Sequence, residues 1–289
     1  MTRKAALIKG DGVGPELVGS MQRVMEAVGT KVEFIPCEAG AQWWEAHGGN
    51  SLISEETWDT LGSTDAAFKG PTTTPGGAGS PKSVAVSIRQ RLNLYANVRP
   101  IKTFPNTAAP LGEVDFVCVR EGTEGMYFGK EVEITDDVYI AIRRISRSAS
   151  AKVAKFAFEE ARRRRWNTVV AIHKSNILKQ TCGAFLEEVH RAGKEYPGIE
   201  IQEYHIDNVA QQLIKNPQIF NKSVLLSTNL FMDIISEECS ALVGSIGLIY
   251  SANIGDGYAM FEPAHGSAPK YAGQDKVNPV ATVLAGAWL

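Results

Sequence analysis

The stretch IKGDGVGPE, residues 8–16, lies between a short apolar run and a segment whose apolar residues have helical spacing. Its glycines predict a tight turn between a strand at residues 5–8 and a helix that begins at Pro15. The pattern is also similar to the phosphate-binding turn of a Rossmann fold. In that interpretation Glu38, which follows the next strand, would bind the ribose of the nucleotide.

Two residues of the turn count against a Rossmann interpretation. The carboxylate of Asp11 would face the pyrophosphate, and Pro15 lacks a backbone N–H with which to bind it. The local chemistry therefore disfavours phosphate binding at this turn but leaves it open.

Strands and helices alternate along most of the chain, which predicts an α/β fold with a largely parallel sheet. The predicted strands cover residues 5–8, 32–35, 66–69, 116–120, 131–134, 137–146, 168–173, 199–205 and 223–227. The predicted helices cover residues 15–28, 41–47, 54–61, 83–94, 148–165, 181–196, 208–215 and 232–239, with a last one from Val280. Residues 244–279 are predicted to form a long loop, and loops of this length are usually functional.

The composition excludes several classes of protein. The chain has 30 Lys and Arg against 32 Asp and Glu, which gives no reason to expect nucleic acid or an anionic membrane as a partner. The one basic cluster, residues 162–165, is predicted to be a solvated helix end. The four cysteines form no C-x-x-C pair, so we expect neither a zinc site nor disulfides. Without a signal peptide or a membrane-spanning segment, a cytoplasmic protein is expected.

Three arginines occur in informative places. Arg89 lies in a predicted helix, Arg99 lies just after it, and Arg120 ends a predicted strand. Guanidinium groups that converge on one cleft would bind carboxylates in a bidentate way. The alternative is that these are ordinary surface arginines.

The segment NLFMDIISEE, residues 229–238, places Asp233 and Glu237 four residues apart on one helix face. Two carboxylates so placed repel each other unless they share a cation, and oxygen ligands suit Mg²⁺ or Mn²⁺. Asp207 offers a third carboxylate. The alternative is a solvated helix face.

Two further side chains have unusual settings. Tyr127 follows a glycine-containing turn, and Lys174 follows a predicted strand in the segment AIHKSNIL. A side chain at the carboxyl end of a parallel strand is well placed for catalysis. For the lysine, the alternative is an ordinary surface position.

Seven segments occur in the order typical of the β-decarboxylating dehydrogenases, a family that includes isocitrate, 3-isopropylmalate, homoisocitrate and tartrate dehydrogenases. They are GDGVGPE, KGPTTTPGG, LNLYANVRP, REGTEGMY, HKSNILK, NLFMDIISEE and EPAHGSAPKYAGQDKVNP. The resemblance covers almost the whole chain. It implies a two-domain isopropylmalate-dehydrogenase-like α/β fold with a cleft between the domains, not a true Rossmann fold.

The resemblance also implies the extent of each domain. A large cofactor-binding domain would contain residues 1–97 and 244–289, and we expect it to lack the C-terminal helices that complete it in the family. A small domain, residues 98–243, would carry the dimer interface and the metal site.

The activity implied is oxidation and decarboxylation of a 2-hydroxy acid that bears a 3-carboxylate. Tyr127 is similar to the acid that protonates the enolate carbon, and Lys174 to the group, supplied by the partner subunit, that assists loss of the hydroxyl proton. Implied substrate-binding residues are Ser83, Arg89, Arg99, Arg120 and Asn176. Implied ligands of Mg²⁺ or Mn²⁺ are Asp233 and Glu237, with Asp207 from the partner subunit. Active sites shared in this way imply a homodimer.

The cofactor is implied to bind the C-terminal loop. Its implied contacts are Thr74, His265, Gly266, Ala268, Lys270, Tyr271 and Asn278. At the fifth and sixth of these positions NAD-using members tend to have an acid and an aliphatic residue. A lysine and a tyrosine instead suit a 2′-phosphate, so we expect NADP, with NAD as the alternative. The turn at residues 8–16 would then line the cleft near the nicotinamide, and Glu38 would lose its ribose role.

Substrate choice rests on the helix that carries Arg89. Ser83 is similar to the serine that isocitrate enzymes use on the third carboxylate, and Ala85 and Val86 are too small to form a deep apolar pocket. We therefore expect isocitrate. Because isocitrate enzymes commonly have Asn in place of Ala85, homoisocitrate and 3-isopropylmalate remain alternatives.

Three features bear on whether the chain turns a substrate over. A non-catalytic regulatory subunit that binds the same ligands is the alternative of another class, but such subunits typically lose the tyrosine, the lysine or the metal carboxylates. Gly122 replaces a usual Asn and loosens the turn before Tyr127. Glu237 replaces a usual Asp and is one methylene longer.

Overall fold

The computed structural model describes residues 3–77 and 79–289, which divide into two compact units. Unit 1 contains Met1–Leu94 and Ile246–Leu289, and unit 2 contains Tyr95–Ser245. Strands and helices are numbered here along the chain, β1 to β12 and α1 to α9. Whether the two units serve as cofactor and metal domains stays a prediction.

Unit 1 is a mixed sheet with helices on its faces. Its strands are β1 (Arg3–Ile8), β2 (Val32–Cys37), β3 (Ala66–Lys69), β11 (Tyr250–Ile254) and β12 (Ala259–Pro263). Its helices are α1 (Gly14–Ala27), α2 (Ala41–His47), α3 (Glu55–Ser63), α4 (Val84–Arg91) and α9 (Val280–Trp288). The strand order is β2-β1-β3-β12-β11, parallel except for the antiparallel pair β11 and β12.

Two apolar cores cover the two faces of this sheet. Because successive side chains of a strand point to opposite faces, Leu7 and Ile8 enter different cores. Ile8 packs in the core with residues of α3 and α4, whereas Leu7 packs with residues of α1 and α9. Helix α3 begins as predicted, since the Ser54 hydroxyl accepts a hydrogen bond from the Thr57 N–H.

Unit 2 is also built on parallel and antiparallel strands. Its strands are β4 (Ala96–Lys102), β5 (Asp115–Glu121), β8 (Thr168–His173), β9 (Glu200–His205) and β10 (Ser223–Ser227), with a separate hairpin of β6 (Glu131–Thr135) and β7 (Val138–Ala141). Its helices are α5 (Arg147–Arg164), α6 (Lys179–Gly193), α7 (Ile206–Lys215) and α8 (Asn229–Leu242). The strand order is β4-β5-β10-β8-β9, parallel except between β4 and β5.

The α/β class predicted from the sequence is confirmed, with three strands missed. Strand β4 was not predicted, and β11 and β12 lie in residues 244–279, which were wrongly predicted to be all loop. The predicted strand at residues 137–146 is wrong in its second half, because regular pairing ends at Ala141. The predicted helix at residues 83–94 ends at Arg91, and Ser83 caps it.

The basic cluster ends α5, as predicted. Arg162 and Arg163 keep side-chain exposures of 66% and 62%, and Arg165 adopts a left-handed conformation that ends the helix. Arg163 and Arg164 also pair with the buried carboxylate of Glu160, which the prediction did not include. All four cysteines are free thiols. In the part of the chain that the structure describes, every helix is too short or too polar to span a bilayer.

Candidate functional site

The glycine turn at residues 8–16 is tied to two other loops of unit 1 through Asp11. The buried carboxylate of Asp11 accepts hydrogen bonds from the backbone N–H groups of Ala41 (3.0 Å), Gln42 (2.9 Å) and Thr73 (2.7 Å). The first two are at the start of α2, so the carboxylate satisfies helix N–H groups that have no partner within the helix. Asp11 therefore has a structural explanation that needs no nucleotide.

The backbone of the same turn is also engaged within the protein. Asp11 N–H donates to the carbonyl of Pro71 (2.8 Å), and Val13 N–H donates to the carbonyl of Ser267 (2.9 Å). A Cβ on Gly10 would lie 2.0 Å from the Pro71 oxygen, and one on Gly12 would lie 2.1 Å from the Ser267 oxygen. The glycines thus serve close packing, and two of the N–H groups of the turn, those of Asp11 and Val13, already have partners within the protein.

The loop with the predicted cofactor residues packs on this turn. The Thr73 and Ser267 hydroxyls lie 2.6 Å apart, next to Thr74 and Ala268. Ala268 has φ +37°, a left-handed conformation that costs energy for alanine and is often found at functional sites. The structure therefore brings the loop of Thr74 and the loop of residues 265–278 together.

Most residues of the C-terminal loop are exposed, although Ser267 is buried. The Lys270 ammonium lies 4.7 Å from the centroid of the Tyr271 ring, and both side chains are exposed. The Asn278 carboxamide oxygen accepts from the Val280 N–H (3.0 Å) at the start of α9. His265 Nδ1 lies 3.0 Å from the carbonyl oxygen of Gly266. The exposed Lys270 ammonium and the Tyr271 phenol together offer a cation and a hydrogen-bond donor to an anionic ligand.

Arg89 is buried in unit 1 and held by other side chains. Its Nε donates to Asn253 Oδ1 (2.7 Å), and its Nη2 donates to Glu262 Oε1 (3.1 Å). The other carboxylate oxygen of Glu262 pairs with Lys69 Nζ at 2.8 Å. Asn253 also donates to Glu262 Oε1 at 2.7 Å. These four residues form what we call the closed cluster.

The charge state of the closed cluster follows from its contacts. Burial alone would raise the pKa of Glu262, but the charges of Lys69 and Arg89 and hydrogen bonds from Lys69 and Asn253 outweigh it. The pKa of this carboxyl therefore lies well below its usual range. Two cations then surround one anion, so the cluster keeps a net positive charge. The sequence analysis found Arg89 but missed the other three residues, although Lys69 and Glu262 lie in two of the quoted segments.

Arg99 and Arg120 converge in unit 2. Arg120 Nη1 and Arg99 Nη2 both reach Asp233 Oδ1, the latter at 3.4 Å, and Arg99 Nη1 also binds Glu237 Oε1 at 3.0 Å. Both guanidinium groups are buried, whereas the carboxylates of Asp233 and Glu237 are 26% and 51% exposed. We call this arrangement the open cluster. The described partners of Arg89, by contrast, belong to the closed cluster of unit 1.

Tyr127 belongs to the open cluster. It lies in a short helical turn, Met126–Phe128, its hydroxyl donates to Asp233 Oδ2, and its ring lies 4.8 Å from the Arg120 guanidinium carbon. Burial, and then the hydrogen bond to Asp233, raise the pKa of Tyr127, while the charge of Arg120 opposes the shift. The phenol therefore stays protonated at neutral pH and can donate a proton.

Two residues that the sequence analysis missed orient these arginines. Asn229, the first residue of α8, accepts from Arg120 Nε at 2.8 Å through its side-chain oxygen. Ser236, one turn from Asp233, accepts from Arg99 Nη1 at 2.9 Å. Both lie in the segment NLFMDIISEE, one helical turn on either side of Asp233, which is the spacing that could have indicated them.

Lys174 and Asp207 form a pair of their own. Lys174 Nζ lies 2.8 Å from Asp207 Oδ1, and Asp207 is 67% exposed. The hydrogen bond from Lys174 is the main reason why the pKa of Asp207 is lowered, and desolvation opposes it. Asn176 is exposed two residues after Lys174. The Lys174 loop and the first turn of α7 therefore present a lysine, an amide and a carboxylate to solvent.

The donor set fits a divalent cation in part. Asp233 and Glu237 lie on the exposed side of α8, where their carboxylate oxygens suit Mg²⁺ or Mn²⁺. Among residues 3–77 and 79–289, no group of three or more His, Cys, Asp and Glu side chains is placed to hold a metal ion. One chain thus supplies two carboxylates at this place, whereas the carboxylate of Asp207 pairs with Lys174.

The comparisons with known proteins identify the family of this chain. A family model described as isocitrate/isopropylmalate dehydrogenase matches residues 4–289. The chain belongs to the isocitrate/isopropylmalate dehydrogenase family. The resemblance stated from the sequence is thereby confirmed, and the family is one of decarboxylating hydroxy-acid dehydrogenases.

Relatives in this family have different names. The 3-isopropylmalate dehydrogenase of Methanothermobacter thermautotrophicus is 40% identical over 282 residues, which are 97% of this chain and 82% of that protein. The mitochondrial NAD isocitrate dehydrogenase catalytic subunit 5 of Arabidopsis thaliana is 40% identical over an alignment of 291 positions, gaps included. The alignment covers 98% of this chain and 74% of that protein. Family membership therefore establishes the reaction class, whereas the choice of substrate depends on individual side chains.

A solved structure supports the fold directly. The crystal structure of isocitrate dehydrogenase from Methylococcus capsulatus superposes with a TM-score of 0.94 and 42% identity, covering 99% of this chain and 84% of that one. The fold predicted from the resemblance is thus confirmed.

Proposed function

We propose that the protein oxidises and decarboxylates isocitrate to 2-oxoglutarate, with NADP⁺ and Mg²⁺ or Mn²⁺. The observation that carries this proposal is the open cluster, where a tyrosine and two arginines converge on Asp233. Buried guanidinium groups beside a half-exposed carboxylate can bind substrate carboxylates from the solvent side. This combination of an acid, two cations and a metal-ligating residue is what a decarboxylation with enolate protonation requires.

The side chains of this chain divide the work as follows. Arg99 and Arg120 bind substrate carboxylates and orient the substrate. Tyr127 holds a proton on its hydroxyl, because its pKa is raised, and donates it to the enolate carbon. Lys174 assists removal of the proton from the substrate hydroxyl. When bound, the metal supplies Lewis-acid stabilisation of negative charge on oxygen, and NADP⁺ accepts the hydride.

Three carboxylates would hold the metal in this proposal. Asp233 and Glu237 would be ligands from one subunit, and Asp207 would be the ligand from its partner. The longer side chain of Glu237 allows its carboxylate to contact Arg99 at 3.0 Å. On metal binding, this carboxylate would leave Arg99 and bind the cation instead. Ordered water could fill the remaining positions, as Mg²⁺ prefers.

The substrate assignment rests on α4. The Ser83 oxygen accepts from the Val86 N–H, which leaves its hydroxyl proton available to a third carboxylate. Ala85 and Val86 are half-buried and small, which disfavours a deep apolar pocket for an isopropyl group. Homoisocitrate and 3-isopropylmalate are the alternatives, the second being the substrate in the name of the M. thermautotrophicus relative.

The cofactor assignment rests on Lys270 and Tyr271. An exposed ammonium and phenol side by side suit the dianionic 2′-phosphate of NADP, which NAD lacks. NAD is the alternative, and one relative carries it in its name. The predicted contacts Thr74, His265, Gly266, Ala268 and Asn278 serve either cofactor.

A homodimer with shared active sites is part of the proposal. The β6–β7 hairpin is exposed along its length and carries Ile134, Tyr139 and Ile140 at 55%, 67% and 47% exposure. An exposed two-stranded sheet with apolar side chains is an edge that another copy can cover. The exposed pair of Lys174 and Asp207 would then enter the site of the partner. The four free thiols suit a reducing compartment, and we propose the cytoplasm.

A steady-state assay tests the activity. With Mg²⁺ and NADP⁺, we expect fastest turnover of isocitrate among isocitrate, homoisocitrate, 3-isopropylmalate and tartrate. No turnover of any of them would favour the regulatory subunit over the enzyme. The retained Tyr127, Lys174, Asp207 and Asp233 argue for the enzyme.

Two controls test the cofactor and the dimer. Faster turnover with NAD⁺ than with NADP⁺ would refute the role of Lys270 and Tyr271. Lys174→Ala and Tyr127→Phe subunits should each be inactive alone, and a hybrid dimer of the two should recover one intact site. A hybrid without activity would refute the shared site.

A further inference from the structure

Arg143 has no role in the proposed function, yet its guanidinium contacts two of the segments that carry that function. It follows β7 and is half-buried. Its Nη1 donates to the Thr181 hydroxyl, and its Nη1 and Nη2 lie 3.6 and 3.7 Å from the sulfur of Cys182. Its Nη2 also donates to the Thr228 hydroxyl at 3.1 Å.

The first of these contacts reaches the Lys174 loop. Cys182 lies in the first turns of α6, and its buried sulfur accepts from the Lys174 N–H at 3.4 Å. Leu178 N–H donates to the carbonyl of Lys174 (2.8 Å), and Cys182 N–H donates to the carbonyl of Leu178 (2.9 Å). The guanidinium, the thiol and the lysine backbone therefore form one chain of contacts.

The second contact reaches the helix that carries Asp233. Thr228 is the N-cap of α8, but its hydroxyl makes no capping bond within that helix. It accepts from Arg143 instead, and the guanidinium carbon also lies 5.1 Å from the centroid of the Phe231 ring. Two residues of the first turns of α8 are thus fixed by Arg143.

The backbone of Arg143 leads to Tyr127 as well. The next residue, Arg144, pairs with Gly125 through two hydrogen bonds, Gly125 N–H to Arg144 O (2.9 Å) and Arg144 N–H to Gly125 O (3.3 Å). Gly125 immediately precedes the turn of Tyr127. The segment that positions the guanidinium is therefore fastened beside the predicted proton donor.

We propose that Arg143 is a positioning residue that sets the Lys174 loop and the start of α8 in one geometry. The inference rests on the proposed function, in which Lys174 acts in the partner's site and Asp233 in its own. Arg143 then serves both active sites of the dimer at once. The polar groups that it contacts among the described residues are two hydroxyls and a thiol, those of Thr181, Thr228 and Cys182. What they require is a planar fork of donors, which lysine does not provide.

Hybrid dimers separate the effect of Arg143 on the Lys174 loop from its effect on the start of α8. A dimer of Arg143→Met with Lys174→Ala has one competent site, and that site uses the lysine next to the missing guanidinium. A dimer of Arg143→Met with Tyr127→Phe has one competent site, and that site uses the Asp233 helix of the altered subunit. The reference is the hybrid of Lys174→Ala with Tyr127→Phe.

We expect kcat of each Arg143→Met hybrid to be about tenfold to a hundredfold below that of the reference, because a misplacement of about 1 Å can cost this much. KM for the substrate should change much less, since Arg99 and Arg120 are untouched. Hybrids that match the reference would overturn the proposal. Arg162→Met, the same exchange at a solvated helix end, is the control and should match the reference.

A second measurement needs no turnover. Cys182 is fully buried against Arg143, so access to its sulfur should limit alkylation by iodoacetamide. At a pH high enough for a free thiol to be ionised, alkylation measured by peptide mass spectrometry should be at least about tenfold faster in Arg143→Met, and Arg143→Lys should be intermediate. An unchanged rate would overturn the anchoring. If the wild-type protein has no activity, the proposed function fails, and this rate still decides whether Arg143 holds the loop.

Discussion

The closed cluster of unit 1 and the open cluster of unit 2 contain the same kinds of charged side chains but differ in how their carboxylates meet water. Lys69, Arg89 and Glu262 all have side-chain exposures of 7% or less. In the open cluster the arginines are as buried, but Glu237 is 51% exposed.

The difference in carboxylate exposure means that the charges of the two clusters serve different purposes. A buried carboxylate between two cations has one set of partners and cannot exchange them without a large cost. A half-exposed carboxylate gains little from its ion pair, so it can exchange an arginine for a metal ion or a substrate. The closed cluster therefore holds Arg89 in place, and the open cluster can rearrange.

The largest effect is expected at Tyr127. Tyr127→Phe should lower kcat by about 10²–10⁴-fold, the range for loss of a general acid, and lower the free energy of unfolding by only about 1 kcal/mol. Steady-state assays and urea unfolding measure the two effects. Tyr196→Phe is the matched control, because Tyr196 also donates to a carboxylate, that of Glu159 at 2.6 Å. A comparable loss of kcat in both variants would contradict the role of Tyr127.

A large effect on stability is expected at Glu262. Glu262→Gln leaves Lys69 and Arg89 buried without an anion, which should lower the free energy of unfolding at pH 7 by about 3–5 kcal/mol. Urea unfolding measures the change. Glu33→Gln, which removes an exposed partner of Lys4 in the same unit, should cost less than about 1 kcal/mol. Equal losses would remove the distinction between buried and exposed charge.

The same carboxyl gives a pH dependence with a defined sign. The pKa of Glu262 is lowered in the folded protein from an ordinary value of 4.5, so the unfolded chain binds the proton first as pH falls. Its contribution to stability is complete above that ordinary value and is lost as pH falls below it. The difference between wild type and Glu262→Gln should therefore shrink below about pH 4.5. A difference that grows on acidification would contradict the lowered pKa.

A smaller effect is expected from metal binding at the open cluster. At about a hundredfold excess over its dissociation constant, Mg²⁺ should raise the free energy of unfolding by about 2.7 kcal/mol. Glu237→Gln should weaken this response, whereas Glu238→Gln, at the next position of α8, should retain it. Titration calorimetry and thermal unfolding with added Mg²⁺ measure both. A full response in Glu237→Gln would exclude this carboxylate as a ligand.

The strands that the sequence did not predict share a physical cause. Strand β4 contains Asn97, Arg99 and Pro100. The buried Arg99 side chain donates to Asn97 within the strand and to distant partners that include Ser236 and Glu237. No local pattern contains those partners. Strands β11 and β12 lie on either side of a turn at Gly255–Gly257, and that turn was a usable hairpin signal within a glycine-rich segment.

The candidate site likewise contains residues that the sequence indicated and partners that it could not indicate. Residue types and order along the chain indicated Tyr127, Asp233 and the arginines. Their partners depend on tertiary contacts: Arg89 binds a glutamate 173 positions away, and Arg120 binds an asparagine 109 positions away. Arg143 gave no signal, since its hydroxyl and thiol partners, which lie in two separate segments, leave no charge pattern in the sequence.

The order of strands in unit 1 has a consequence for synthesis on the ribosome. Strand β3 pairs on one side with β1, but its other edge is covered only by β12, through the pairs Ala67 with Met260 and Phe68 with Phe261. Unit 2 is one continuous segment, complete at Ser245 before β12 is made. The nascent chain must therefore carry an open strand edge while unit 2 emerges, and exposed edges of this kind promote aggregation.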